Sequence, residues 1–308
     1  MNGRFERAVF HGYLVKGQLK DAMRYLACFP DQAALYQKYL AIFEREEYLA
    51  LSPDGHIDEL LLIYQKYFRE VFYLGLDAVK AVENMQNRFV KALGLKERNM
   101  EFSELEQTHI AGEFHDRSYQ FLGGRTGGYY GPYIWKTVER RNYDVELPDG
   151  VQRYPVNLLD DFVFQGWYDY LSFGEIGTGG WTNGDGVINC IRSSYDLEDE
   201  SFTVSLLKHE AQHTADLSKY PNMPSDMLEY RAKLVELIYS EKRALLTRFL
   251  HEAGEANGHP MAAKKIAEGF MKRLGKTAEE LAALPVQNIQ KVAREMFAES
   301  NETIEKSP

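Results

Sequence analysis

The five residues His209-Glu210-Ala211-Gln212-His213 constrain this chain more than any other stretch. In an α-helix, positions i and i+4 project from the same face, so His209 and His213 can bind one metal ion if this segment is helical. Glu210 would then lie roughly 100° around the helix, beside the ion. The pattern therefore predicts a zinc-binding helix in which Glu210 acts as the general base that takes a proton from water.

The residues around this motif predict that the helix is buried. Apolar side chains fall on both of its sides, and Ser205, Lys208 and Gln212 provide its only obvious polar edge. Buried imidazoles need partners, which favours a metal site. Two other interpretations stay open: a surface helix with incidental histidines, and a His–Glu pair joined by a hydrogen bond. His251 and His259 lie in polar sequence and are predicted to be solvated.

A catalytic zinc site needs a third protein ligand, and three carboxylates follow the motif. The metzincin arrangement would need a histidine at position 219, and Lys219 excludes it. Glu229, on the next predicted helix, is the expected ligand. Glu236, on the same face, is either the alternative ligand or an outer partner that orients a histidine. Asp216 is predicted to hold a histidine ring in place from outside, or else to be a solvated charge.

At this next helix the sequence resembles the gluzincins, the thermolysin-like class of HExxH zinc peptidases. In that class the third ligand often begins a Glu-x-x-Ala segment, which here is Glu229-Tyr230-Arg231-Ala232. The resemblance implies that His209, His213 and Glu229 hold one zinc ion per chain. A competing interpretation makes Glu229 one half of an ordinary surface ion pair with Lys233, four residues further along the helix.

The resemblance extends upstream, where gluzincins place a twisted sheet whose edge strand pairs with the substrate backbone. A hairpin predicted over residues 175–192, with its turn at Asn183-Gly184-Asp185-Gly186, lies in that position. Gly179 and Gly180 would let a peptide approach closely, and Trp181 would wall a substrate pocket. The alternative interpretation is a glycine-rich turn with a core tryptophan.

The hydrophobic pattern predicts an α+β chain with two domains. Residues 1–120 carry apolar stripes of 3.6-residue period and are expected to form a helical N-terminal domain. The remainder, 121–308, is expected to form a zinc-peptidase-like catalytic domain, with one helix running from Ser225 past Leu246. Its predicted parts are a small twisted, mostly antiparallel sheet packed on the HExxH helix, and further C-terminal helices: sheet 133–195, active-site helices 201–251 and C-terminal helices 260–300.

The composition narrows the classes of partner. Acidic residues number 46 and basic residues 36, for a net charge of −10, which disfavours nucleic acid as a partner. No apolar run approaches the roughly 18 residues of a membrane span, and no signal peptide is expected. The two cysteines, Cys28 and Cys190, do not make a disulfide scaffold. We therefore expect a cytoplasmic protein whose partner is a peptide or protein substrate, not a nucleic acid or a membrane.

Three functions compete for this pattern. The first is a zinc-dependent peptidase that hydrolyses peptide bonds. The second is a non-peptidase zinc hydrolase or a catalytically silent metal-binding protein, and the third is an interaction protein that works through its N-terminal helices. Because a pure binding site has no need of a general base, the intact Glu210 argues against the silent site.

Overall fold

The chain has the α+β architecture that the sequence predicts, with a helical N-terminal part. The computed structural model describes residues 4–96, 100–182, 185–255 and 258–305. Within these residues no helix combines the length and the apolar content needed to cross a membrane.

Two compact units make up the chain, and each of them is discontinuous in sequence. Their bounds are Met1–Thr137 with Asp160–Gly177 for the first unit, and Val138–Leu159 with Thr178–Pro308 for the second. The domain boundary expected near residue 120 therefore lies elsewhere. The segments 121–137 and 160–177 belong to the first unit, because the intervening hairpin leaves that unit and returns to it.

Helices form most of the first unit, as the apolar stripes predict. Asp54 and Asp77 cap two of them, and each carboxylate accepts hydrogen bonds from two backbone N–H groups of the first turn. Short 3₁₀ or π-helical turns join or extend several of them. The α-helices are α1 Arg7–Leu14, α2 Leu19–Leu26, α3 Ala33–Tyr39, α4 Gly55–Phe68, α5 Ala78–Ala92, α6 Phe102–Leu105 and α7 Ala111–His115.

Short strands and one more helix complete the first unit. They are β1 Gln120–Leu122, β2 Arg125–Thr126, β3 Tyr129–Tyr130, β4 Tyr133–Trp135, β7 Phe164–Gln165 and α8 Gly166–Ser172. Strands β1, β4 and β7 form an antiparallel sheet, and β2 pairs with β3. The sheet predicted over 133–195 is therefore not continuous, because α8 interrupts it and β4 and β7 belong to this smaller sheet.

The second unit contains a four-stranded sheet. Its strands are β5 Thr137–Leu147, β6 Gly150–Asp160, β8 Gly180–Thr182 and β9 Ile188–Ile191. Their order in the sheet is β5-β6-β9-β8. Strands β8 and β9 are antiparallel, as the predicted hairpin requires, whereas β6 and β9 are parallel. The arms of this hairpin are shorter than predicted, and Asn183 and Gly184 of its turn lie outside the described residues.

Helices make up the rest of the second unit. They are α9 Glu200–Thr203, α10 Leu207–Lys219, α11 Ser225–Tyr239, α12 Ala244–Glu252, α13 His259–Leu274, α14 Ala278–Ala282 and α15 Val286–Glu305. Helix α11 packs against α10, α13 and α15. The helix expected from Ser225 past Leu246 is in fact two helices, because Ser240 is extended and its hydroxyl accepts from the Lys242 backbone and donates to Glu200.

Candidate metal centre

Helices α10 and α11 bring the three predicted metal ligands together. His209 Nε2 lies 3.4 Å from Glu229 Oε2, and His213 Nε2 lies 3.6 Å from Glu229 Oε1. One ligand atom from each residue lies within 4.8 Å of the other two. The three side chains are 7%, 11% and 16% exposed, so the cluster is shielded without being sealed from water.

Local structure explains this convergence. The two histidines are four residues apart within α10, which places both imidazoles on one face. The chain then leaves α10 at Tyr220 and starts α11 after Pro224, whose fixed φ suits the start of a helix. Because α11 packs against α10, Glu229 in the second turn of α11 faces the histidines.

The donor set of this cluster fits zinc. Two imidazole nitrogens and one carboxylate are the protein ligands of a catalytic zinc site, whose fourth position stays open for water or substrate. Glu229 Oε2 is a buried atom that makes no hydrogen bond of good geometry with the described residues, although imidazole nitrogens of His259 and His209 lie 3.1 Å and 3.4 Å from it. A buried carboxylate oxygen is costly in that state, and a cation held between the two imidazoles would satisfy it.

Glu236 lies on the opposite edge of the His209 ring. His209 Nδ1 donates a hydrogen bond of 2.8 Å to Glu236 Oε1, which leaves Nε2 directed toward Glu229. Glu236 Oε2 in turn lies 3.1 Å from an Nη atom of Arg248. This geometry fits the outer partner that orients a histidine, one of the two roles considered from the sequence.

Asp216 does not hold a histidine ring, contrary to the role predicted for it. It is buried, and its two oxygens accept from Arg231 Nε at 2.8 Å and from Gln212 Nε2 at 2.9 Å. Among the described residues, Nδ1 of His213 has no hydrogen-bond partner. Asp216 instead pairs with the buried Arg231 of α11, whose positive charge offsets that of the carboxylate.

Glu229 and Lys233 do not form the surface ion pair that was considered from the sequence. Lys233 is buried, and its Nζ lies 2.9 Å from Glu252 Oε2 of α12. Glu229 instead lies against imidazoles, with His259 Nδ1 3.1 Å from its Oε2. The i, i+4 spacing therefore does not decide the partner of Glu229 here.

Glu210 is not part of the His209, His213 and Glu229 cluster, but it lies close enough for the charges of His209 and Glu229 to act on its carboxyl group. Its side chain is half-buried, and the backbone of Thr182 in β8 hydrogen-bonds to it. Burial raises the pKa of Glu210, while the His209 charge and the Thr182 hydrogen bond lower it and the charges of Glu229 and Glu236 add to the rise. A carboxylate with a raised pKa is better suited to accept a proton near neutral pH.

The charges within the cluster favour a positive charge at His209. Burial opposes that charge, but the contacts with Glu229 and Glu236 outweigh it and raise the pKa of His209 to about 10. Burial would raise the pKa of Glu229, yet contact with His209 lowers it to about 2. Burial and the charge of His209 lower the pKa of His213 to about 3. The cluster thus places a positive charge against Glu229, where a metal cation would supply it.

The glycines predicted to admit a peptide are explained by packing within the protein. A Cβ atom at Gly179 would lie 1.8 Å from the Tyr195 hydroxyl, and one at Gly180 would lie 2.4 Å from the Asn189 carbonyl oxygen. Trp181 is half-buried in β8, where it pairs with Asn189 of β9. The roles of Gly179, Gly180 and Trp181 in substrate binding stay predictions.

Two residues of the site were missed by sequence reasoning. Arg248 belongs to no motif, and its side chain reaches Glu236 from α12, the helix that follows the end of α11 at Tyr239. His259 was predicted to be solvated, and its side chain is indeed 54% exposed. Its ring nevertheless stacks on His209, with ring centroids 5.7 Å apart and planes at 13°. No local spacing signals this contact, because His259 lies 46 residues beyond His213.

No family model, curated protein or solved structure matches this chain. The function proposed below is therefore supported by the motif, its resemblance to the gluzincins and the geometry of the cluster.

Proposed function

We propose that this protein is a zinc-dependent peptidase of gluzincin type. The observation that carries the proposal is the meeting of His209 Nε2, His213 Nε2 and the Glu229 carboxylate in one shielded cluster, with Glu210 beside it. His209, His213 and Glu229 would hold one zinc ion per chain, and Glu210 would be the general base.

The residues of the chain divide the chemical work between them. Zinc, when bound, acts as a Lewis acid and lowers the pKa of a coordinated water to about 7. Glu210 takes the proton from the attacking water, and the Thr182 backbone holds its carboxylate in place for that step. Glu236 fixes His209 with Nδ1 as the donor, so that Nε2 carries the lone pair used for binding the metal.

The resemblance to the gluzincins favours a peptide over another hydrolysable substrate, because those enzymes pair an edge strand of the sheet with the substrate backbone. Strand β8 is the last strand in the order of the described sheet, the position that the resemblance implies for this strand. The Thr182 backbone of the same strand hydrogen-bonds to Glu210, the candidate base. The alternatives are a non-peptidase zinc hydrolase and a catalytically silent metal-binding or interaction protein.

Glu210→Gln tests the proposal, because the amide keeps the shape of the side chain and cannot act as a base. We expect zinc content to stay at the wild-type level while cleavage of a mixture of unstructured peptides falls by about 10²-fold or more. Mass spectrometry of the peptide mixture and elemental analysis give the two readouts. If wild type binds zinc and cleaves none of the peptides, the peptidase assignment fails; retained cleavage in Glu210→Gln removes Glu210 from the mechanism.

A further inference from the structure

Helix α12 contributes an arginine that contacts Glu236, on the edge of the His209 ring opposite Glu229. The side chain of Arg248 is 57% exposed, yet one Nη atom lies 3.1 Å from Oε2 of Glu236, whose side chain is 3% exposed. The long aliphatic stem of an arginine can cover a buried partner while its charged end stays in contact with water. Arg248 therefore reaches an acidic group that is otherwise shielded from solvent.

Glu236 uses both of its oxygens in this arrangement. Oε1 accepts from His209 Nδ1 at 2.8 Å, and Oε2 is held by Arg248. A carboxylate held at both oxygens has a fixed plane, so the direction of the bond to His209 is fixed as well. The imidazole orientation at the metal therefore depends on Arg248 through Glu236.

The balance of charge around the cluster also involves Arg248. Glu210, Glu229 and Glu236 together carry three negative charges when ionised, and a divalent ion offsets two of them. Lys233 is already paired with Glu252, so its charge is used elsewhere. Arg248 supplies the remaining positive charge, in contact with the one carboxylate of the three that does not bind the metal or serve as the base.

We propose that Arg248 is a positioning residue of the zinc site, acting through Glu236 on the orientation and basicity of His209. This inference rests on the proposed zinc site, but it concerns a residue that touches neither metal nor substrate. Arg248 and Glu236 form one unit, and removing either disturbs the same ligand.

A double-mutant cycle on zinc affinity tests whether Arg248 acts through Glu236. We expect Arg248→Gln to raise the Kd for zinc by about 10-fold, within the range measured for outer partners of metal ligands. In a Glu236→Ala background the same substitution should change the Kd by less than about 2-fold. Arg248→Lys should recover only part of the affinity. The lysine keeps the positive charge, but it lacks the planar guanidinium that holds a carboxylate in a fixed geometry.

Arg243→Gln is the matched control, since Arg243 is an exposed arginine at the start of the same helix. It should leave the Kd at the wild-type value, and circular dichroism should show all variants folded. An unchanged Kd in Arg248→Gln would overturn the inference and leave the zinc site standing, as would equal losses in both backgrounds. Failure of the wild-type protein to bind zinc would instead remove the zinc site, and Arg248 with it.

Discussion

The two units of this protein bury different kinds of side chain. In the first unit, the buried polar residues among those described are Gln65, Glu106 and Ser172, within a core rich in phenylalanine and tyrosine. Among its described residues, the second unit has a mainly aliphatic core and buries six side chains of the Asp, Glu, Lys, Arg and His types: His209, His213, Asp216, Arg231, Lys233 and Glu236. The second unit therefore meets a cost of charge burial that the first largely avoids.

The buried carboxylates of the two units are stabilised in different ways. Glu106 accepts hydrogen bonds from the Tyr64 hydroxyl at 2.9 Å and from the Gly124 backbone at 2.8 Å, both neutral donors. Asp216 and Glu236 each contact an arginine, and Glu236 also contacts His209. The two units therefore stabilise buried carboxylates differently, with neutral donors in the first unit and cationic partners in the second.

The largest effect is expected when the buried ion pair of the second unit is broken. Asp216→Ala leaves the buried guanidinium of Arg231 without its carboxylate, although Ser300 and Asn301 still accept from it at 2.6 Å. We expect a loss of about 3–5 kcal/mol in the free energy of unfolding, the scale for an uncompensated buried charge. Chemical denaturation monitored by circular dichroism measures it.

Asp144→Ala is the control for this prediction, because Asp144 pairs with Arg153 on the exposed strands β5 and β6 of the same unit. Breaking that pair should cost far less, because water and salt screen charges that are exposed on both partners. Equal losses in the two variants would erase the distinction between buried and exposed charge on which the comparison of the units depends.

The buried carboxyl of the first unit should make stability fall as pH rises. Burial raises the pKa of Glu106 to about 7, against the smaller lowering by the Tyr64 and Gly124 hydrogen bonds. A raised folded-state pKa means that the folded chain holds this proton more tightly, so this contribution to stability is full below about pH 4.5, falls as the pH rises toward 7 and is lost above it. The difference amounts to about 3 kcal/mol, at 1.36 kcal/mol for each pKa unit.

Glu106→Gln isolates this contribution from other titrating groups. The amide keeps an acceptor for Tyr64 or Gly124 and carries no charge. The stability of the variant relative to wild type should therefore rise between pH 5 and pH 8.5, in thermal melts performed at both values. A constant difference between the two proteins across this range would mean that Glu106 does not titrate there.

The ligand assignment predicts unequal effects from two carboxylates of α11. Glu229→Ala leaves two imidazoles for the metal, so the Kd for zinc should rise by more than about 100-fold. Glu236→Ala removes the partner of His209 Nδ1 and should raise the Kd by about 10-fold to 100-fold. Zinc titrations of the two variants side by side give the comparison, and a reversed order would exchange the two roles.

Local spacing predicted the parts of the site that lie within one helix or its neighbour. The i, i+4 histidines need only a helix, and Glu229 needs only a short connection between two packed helices. The lysine at position 219 was enough to exclude the metzincin arrangement, which needs a histidine there as the third ligand. The α+β class followed in the same way from periodicity, which the short-range pattern of apolar residues carries.

The remaining parts depend on contacts that sequence spacing does not encode. Asp216 pairs with Arg231, and Lys233 pairs with Glu252, so these buried charges are paired between different helices. The i, i+4 spacing of Glu229 and Lys233 within one helix therefore did not predict the partner of either residue. The helix breaks at Ser240, where the hydroxyl bonds to Glu200, and side chains of the separate helix α12 then contact Lys233 and Glu236 of α11. The discontinuous units arise because β6 and β9 pair in parallel across a gap in sequence.

The zinc content of the wild-type protein tests the central claim most directly. The protein is purified without chelator, incubated with zinc, freed of excess metal by gel filtration and analysed for metal per chain. Two imidazoles and one carboxylate with an open fourth position predict about one zinc per chain, lost in a His209→Ala, His213→Ala variant that remains folded. A wild-type chain that is folded by circular dichroism and holds no zinc after this treatment would contradict the account.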